Sequence, residues 1–168
     1  MVKIPLDTIC VKTGVLCPKC QRKIDTQEIR DYEVSVMKEL LELEESGLRE
    51  LKDAHYVKSV LYKDMLVLVV KIPRNSDALL KKLSKELSES LKVKVKVIEH
   101  TNDIRKIVAQ LLSPARVLGV NMVWLPDGTQ IYSVRVLRSD ERLFPMDKNS
   151  LEELLHLITG EYFTIKLE

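Results

Sequence analysis

Residues 27 to 168 carry one αββααβ-like pattern twice, and this duplication constrains the chain more than any single motif. In the first copy the apolar run Val67 to Ile72 predicts a strand and Pro73-Arg74-Asn75-Ser76 a loop. Leu79 to Leu91 then predicts a helix and Val93-Lys94-Val95-Lys96-Val97 a closing strand. The second copy repeats the order, with strand Ile131 to Leu137, a longer connector ending Pro145-Met146-Asp147-Lys148, helix Leu151 to Ile158 and strand Tyr162 to Leu167. Each unit is too small to bury much apolar surface alone, so the two are expected to pack together. A small domain repeated in tandem points to a binding platform rather than a catalyst.

The sequence divides into a head at 1–25, a first unit at 26–100 and a second at 101–168. From Met1 to Ile24 no periodicity is long enough to predict a helix, and turn residues and all three cysteines are concentrated there. Asp25 or Thr26 is expected to cap a helix, with Asp25 and Glu28 at capping-box spacing. Ile29, Tyr32, Val36, Leu40 and Leu43 then fall on one face, and Gly47 is a candidate stop. Strands are predicted at Ala54 to Leu61 and Met65 to Ile72, joined by a turn at Lys63-Asp64; the second is apolar on both faces, as a central strand is. In the closing strand Val93, Val95 and Val97 alternate with Lys92, Lys94 and Lys96, which predicts one buried face and one lysine face turned to water.

In the second unit Thr101 or Asn102 is expected to cap a helix carrying Ile104, Ile107, Val108, Leu111 and Leu112, with Ser113-Pro114 ending it. A strand from Ala115 to Leu125 meets Pro126-Asp127-Gly128, whose turn chemistry predicts an antiparallel return along Ile131 to Leu137. Ser150 and Glu153 are spaced as a capping box, and Gly160 is the expected stop before the last strand.

Composition narrows the class. The chain has 168 residues, 45% hydrophobic and 31% charged, with 27 Lys and Arg against 25 Asp and Glu, a formal charge of +2. That field is too weak for strong sequence-independent nucleic-acid binding, so any RNA affinity must come from local patches. No signal-like start or apolar run approaching a membrane span occurs, which predicts an intracellular, cytoplasmic protein. Scarce glycine with abundant Lys and Glu leans towards a heat-adapted source.

Cys10, Cys17 and Cys20 are spaced Cys-x6-Cys-x2-Cys, ending in Cys-Pro-Lys-Cys. Two thiolates two residues apart suit a tetrahedral ion because a tight turn aims its amides at the sulfurs, and Lys19 offsets their charge. This predicts one structural zinc. A fourth ligand is required, and Asp7, Asp25, His55, a partner chain or water are the candidates. The competing readings are a disulfide between two of the three cysteines, or reduced structural thiols. A thioredoxin-like redox pair is not expected, since the motif neither follows a strand nor opens a recognisable helix.

The run from Val93 to Asp127, with Val-Ile-Glu before Thr-Asn-Asp, a helix ending Leu-Leu-Ser-Pro-Ala-Arg-Val and a strand closing in Pro-Asp-Gly, resembles the junction between the two KH domains of NusA-type transcription factors. The whole chain is similar to archaeal NusA-like KH proteins with an N-terminal cysteine knuckle. That resemblance implies an α+β fold of two tandem KH type II-like domains, αββααβ each, behind the cysteine head. It also implies RNA held at a Gly-x-x-Gly loop, where loop amides and a helix N-terminus meet the sugar-phosphate backbone.

The sequence departs from that pattern at the loops, which read Pro73-Arg74-Asn75-Ser76 and Pro145-Met146-Asp147-Lys148 and hold no glycine. Asp147 places a carboxylate where a phosphate would sit, and its repulsion together with the lost loop-amide contacts is enough to remove a few of the roughly 8 kcal/mol that micromolar binding needs. Phosphate contacts are therefore expected from Arg74, Lys81, Lys82, Lys85, Lys92, Lys94 and Lys96, with Lys148 in the second unit. The plainer reading is that these lysines keep an exposed sheet edge soluble and unpaired.

No catalytic constellation emerges. His55, His100 and His156 are scattered with no serine or cysteine at nucleophile spacing. Glu42, Glu44 and Glu45 read as the solvated side of a helix. Trp124 and Tyr132 are candidates for base stacking, against a role in core packing. The chain is thus expected to be a non-enzymatic accessory factor of transcription or RNA processing that binds single-stranded RNA weakly through its backbone. The alternative is a scaffold docking on RNA polymerase, a ribosome or a nuclease complex without touching RNA.

Overall fold

The computed structural model describes residues 2–73 and 77–168. It is α+β, with two three-stranded mixed sheets in two compact units, Met1–His100 and Thr101–Glu168. The first unit contains helices α1 (Thr8–Thr13), α2 (Pro18–Asp25) and α3 (Asp31–Glu45) and a 3-10 turn at Arg49–Asp53. Strands β1 (His55–Tyr62) and β2 (Met65–Lys71), helix α4 (Asp77–Leu91) and strand β3 (Lys94–Glu99) follow. The second contains α5 (Ile104–Leu112), β4 (Val117–Trp124), β5 (Gln130–Val136), a 3-10 turn at Arg138–Leu143, α6 (Lys148–Thr159) and β6 (Tyr162–Leu167). Among the described residues no helix is long and apolar enough to cross a membrane.

Both sheets have the same logic: first and second strands antiparallel, second and third parallel, with the second strand in the centre. The unbroken apolar run of β2 is buried from Met65 to Val70, as suits a central strand. Parallel neighbours need a crossover, and α4 and α6 supply it. The second unit has a 3-10 turn and a helix between β5 and β6, close to the αββααβ order. The first has only α4 between β2 and β3 among its described residues.

The head does not lack helices, contrary to its sequence reading. Its two helices have 6 and 8 residues, too short to display an apolar period. Gly14, at φ 77, ends α1 and turns the chain back, and Pro18 opens α2 at a position where its missing N–H costs nothing. The Cys-Pro-Lys-Cys motif therefore does open a helix. Val2, Leu6, Cys10, Val11 and Cys20 join the same buried cluster as Val36, Leu40, Leu68 and Leu83.

Several caps also move. Asp25 ends α2 instead of capping the next helix, and α3 starts at Asp31, where Glu33 Oε2 accepts from the Arg30 amide at 2.7 Å. The acceptor that decides the start of α3 is thus one that also serves the sheet. The other oxygen, Oε1, accepts from Tyr56 Oη at 2.7 Å and from the Ser59 amide at 3.1 Å, so one buried carboxylate fastens α3 to β1. Burial pushes the Tyr56 hydroxyl well above its ordinary pKa, so it stays a donor. In the second unit the cap of α5 is Asp103, not Thr101 or Asn102, and that of α6 is Asp147, not Ser150.

Lys96 departs from the lysine face predicted for the closing strand. It is half-buried, and burial holds its pKa below the usual lysine range, whereas Lys92 and Lys94 are exposed. The outward N–H groups of β3 are not left to water: Val95 donates to Ser88 Oγ at 3.0 Å and Val97 to Ser84 Oγ at 3.1 Å, both from α4. Glu152 of α6 does the same for Ile165 of β6 at 2.8 Å.

Replacing Glu33 by alanine strands the buried Ser59 amide and leaves the Tyr56 hydroxyl with Ser59 Oγ at 2.6 Å as its partner, and is expected to cost about 2 kcal/mol in denaturant unfolding. Glu33→Gln, which keeps an acceptor, should lose clearly less; equal losses would mean that the hydrogen bonds are not what matters. In the second unit the buried Asp140 carboxylate accepts from the Arg116 amide at 3.0 Å and from its Nε at 3.2 Å, and these hold its pKa below the ordinary range. Its stabilisation is therefore present above the unfolded pKa and lost as pH falls below about 4 through the depressed folded value. Thermal melts of Asp140→Asn should show a shallower acid dependence than the parent chain.

Candidate metal centre and basic surface

The turn between α1 and α2 brings Asp7, Cys10, Cys17 and Cys20 together, one donor atom from each lying within 4.8 Å of every other. Asp7 is the N-cap residue of α1 and Cys17 that of α2, so both sit where a chain reverses into a helix. Cys10 and Cys20 are buried, Cys17 is half-buried and Asp7 is exposed. The Asp7 amide donates to Cys20 Sγ at 3.4 Å, the Cys17 amide to Cys10 Sγ at 3.3 Å, and Cys17 Sγ to Asp7 Oδ2 at 3.4 Å.

Four such donors could hold a metal ion. A tetrahedral ion with bonds of about 2.3 Å keeps its donors roughly 3.8 Å apart, so the cluster needs only a small contraction. The amides that stabilise the sulfurs are already in place. The Cys20 backbone amide pulls the Cys17 thiol below its ordinary pKa. At Cys20 the Asp7 amide acts in the same direction, but burial and the adjoining Cys17 and Cys10 outweigh it and push the thiol up to about 11. Three thiolates this close need a cation to coexist. Among the proposed fourth ligands the geometry selects Asp7. Asp25 accepts from Gln21 Nε2 at 2.9 Å and His55 lies in β1, and neither is in the cluster. All three cysteines are free thiols.

The basic residues do not form one patch. Lys81, Lys82 and Lys85 are exposed on α4, and Lys82 lines a cavity of about 670 Å³ with Leu48, Arg49, Asp53, Ile72 and Leu79. Lys92 and Lys94 follow the far end of that helix, which has 15 residues and spans roughly 22 Å. They line a second, shallower depression of about 490 Å³ with Asp64, Ser88, Val93 and Val95. Lys92 itself adopts a left-handed backbone, φ 58, in the turn out of α4. Arg74 lies outside the described residues. Lys148 is the first residue of α6, directly after Asp147, whose carboxylate accepts from the Ser150 amide at 3.1 Å and hydroxyl at 2.6 Å.

Of the two aromatic candidates, Tyr132 is stacked on Phe163 with ring centres 5.4 Å apart, while Trp124 is 61% exposed at the end of β4. Sequence reasoning did not single out Arg135, whose partners become visible only once the strand register is known.

No family model and no curated protein matches the sequence. Among solved structures the chain is similar to one described as "Crystal structure of APE1850", at 17% identity over 66% of this chain and 86% of that one, with a TM-score of 0.48. A likeness this loose carries no chemistry across.

Chelation followed by thermal melting should lower the transition temperature of the first unit if the head is held by an ion. Cys20→Ser should abolish metal retention on elemental analysis, whereas Asp7→Ala, which leaves three sulfurs, should weaken it without abolishing it. Equal metal content in parent and Cys20→Ser chains would place the ion elsewhere.

Proposed function

We propose that this chain is a non-enzymatic RNA-binding accessory factor of transcription or RNA processing, built from two KH-like units and similar to NusA-type proteins. The observation that carries the reading is the repeated order of strands and crossover helix in the two units, joined by the motif that resembles the NusA-type junction. A repeated platform with basic side chains suits binding better than turnover. Weak affinity is expected. The formal charge is only +2, and in the second unit Asp147 fills the helix N-terminus that a phosphate would use, with its carboxylate satisfied by Ser150. The ion of the head is read as one zinc, because a mostly thiolate donor set with one carboxylate favours zinc over calcium or magnesium; its role is to pin two short helices.

A second reading draws support from the second hairpin, where Leu118, Met122, Val123, Trp124 and Leu125 are all exposed. Apolar side chains gathered on one edge strand suit a protein partner such as a polymerase or ribosomal component.

Filter binding of single-stranded RNA at two salt concentrations separates the readings. An RNA-binding chain should give a dissociation constant near the micromolar range that weakens as salt rises; no retention at low salt would leave only the scaffold. Elemental analysis of the purified chain should find about one zinc per molecule.

A further inference from the structure

We propose that the open face of the second unit's sheet, centred on Arg135, grips the backbone of single-stranded RNA. This rests on the RNA-binding reading above and deepens it by placing the site away from the loops. Helices α5 and α6 pack against β4 and β6, and the side chains of Val120, Val134, Val136, Phe163 and Ile165 are buried on that side. The alternate residues point the other way. Across that open face the register sets Gly119, Arg135 and Lys166 side by side in one row.

Arg135 is held in place but not satisfied. Its Nε is buried and has no hydrogen-bond partner, the one such side-chain atom among the described residues. That atom is out of an incoming ligand's reach, so an acceptor has to meet the rest of the side chain, which is 40% exposed. Its Nη1 lies 3.7 Å from Glu168 Oε1, with the two side chains 40% and 48% exposed, which is too long and too wet to neutralise the charge. Gly119 explains how it lies: a Cβ there would sit 2.7 Å from Arg135 Nη2, so only glycine lets the guanidinium rest flat on β4.

The surroundings suit a nucleic acid. Lys166 is exposed beside Arg135, and exposed Asn121 and half-buried Thr164 offer neutral donors and acceptors one step along the strands. Tyr162, the first residue of β6, is 55% exposed at the rim of the sheet, its ring turned to α6 and stacked on His156 at 4.7 Å. Tyr162 lies four steps along β6 from Lys166, roughly 13 Å, a span that a short oligonucleotide bridges with a base on the ring and a phosphate on the guanidinium. A simple acidic peptide would use the cations but leave the aromatic platform idle.

Fluorescence polarisation with a short oligouridylate at low salt tests the site in the full-length chain. Arg135→Gln should weaken binding about ten-fold or more and reduce the salt dependence by about one released ion. Lys166→Gln and Tyr162→Leu should each weaken it several-fold. Gly119→Ala is the decisive variant: it keeps every charge, only the far end of a flexible side chain must move to make room for it, and it should still lose affinity several-fold with an unchanged melting temperature. If Arg135→Gln fails to fold, Gly119→Ala decides alone. Unchanged affinity in the folded variants overturns this site and leaves RNA binding intact. Failure of the parent chain to bind overturns both, and competition by polyglutamate as effective as that by RNA would reject the nucleic-acid assignment.

Discussion

The parallel pairing of the second and third strand in each unit is the constraint from which the rest follows. Two parallel strands cannot be joined by a hairpin, so the chain must leave the sheet, cross one face and return. Helices α4 and α6 make that crossing, and each thereby settles which face of its sheet is packed by helix. It also puts the third strand at an edge, with a row of outward amides to satisfy. The first unit answers with Ser84 and Ser88, the second with Glu152. The chemistry differs, but in both cases the crossover helix supplies the acceptor. This weakens the view that lysines alone protect the β3 edge.

Polar groups are buried where pieces distant in sequence must be tied together. Glu33 serves the first turn of α3 and two groups of β1 at once, and Asp140 ties the 3-10 turn after β5 to the approach to β4 through Arg116. The head follows the same principle in a more demanding form. Two helices of 6 and 8 residues have little intrinsic stability, and their buried stripe is largely Cys10, Val11 and Cys20. Sulfurs that help to fill the core also meet around one point, so an ion binding there adds a cross-link at the place where apolar area runs out.

The strands were the most legible part of the sequence. The apolar run of β2, the turn at Gly128 and the limits of β6 are decided by local chemistry, and β6 spans the residues its sequence predicts. Caps were less so, because Thr101, Asn102 and Asp103 are all competent and only the geometry shows that the Asp103 carboxylate reaches the Arg105 amide. The head helices were hidden by their shortness. Strict alternation placed Lys96 opposite Val95 and Val97, yet alternation says only that a side chain points away from one face, not that water lies on the other. Cysteine spacing located three donors of the cluster but not the fourth, since Asp7 enters through the turn that precedes α1 and not through any fixed interval.

A glycine facing an arginine across two antiparallel strands has no signature in either segment alone. Gly119 reads as a weak point in β4, and Arg135 as an ordinary exposed residue between Val134 and Val136. Register turns the pair into a held cation, because the missing Cβ provides the space that the guanidinium occupies. In a chain of formal charge +2, long-range attraction contributes little, and a cation whose position is already fixed loses less entropy on meeting a phosphate than a lysine free on a helix. Asp147, satisfied by Ser150 at the start of α6, places a negative charge at the helix end that would repel a phosphate there. The two features act in one direction: the helix N-terminus is closed to anions by its own cap, while the opposite face of the sheet holds a part-exposed guanidinium over Gly119.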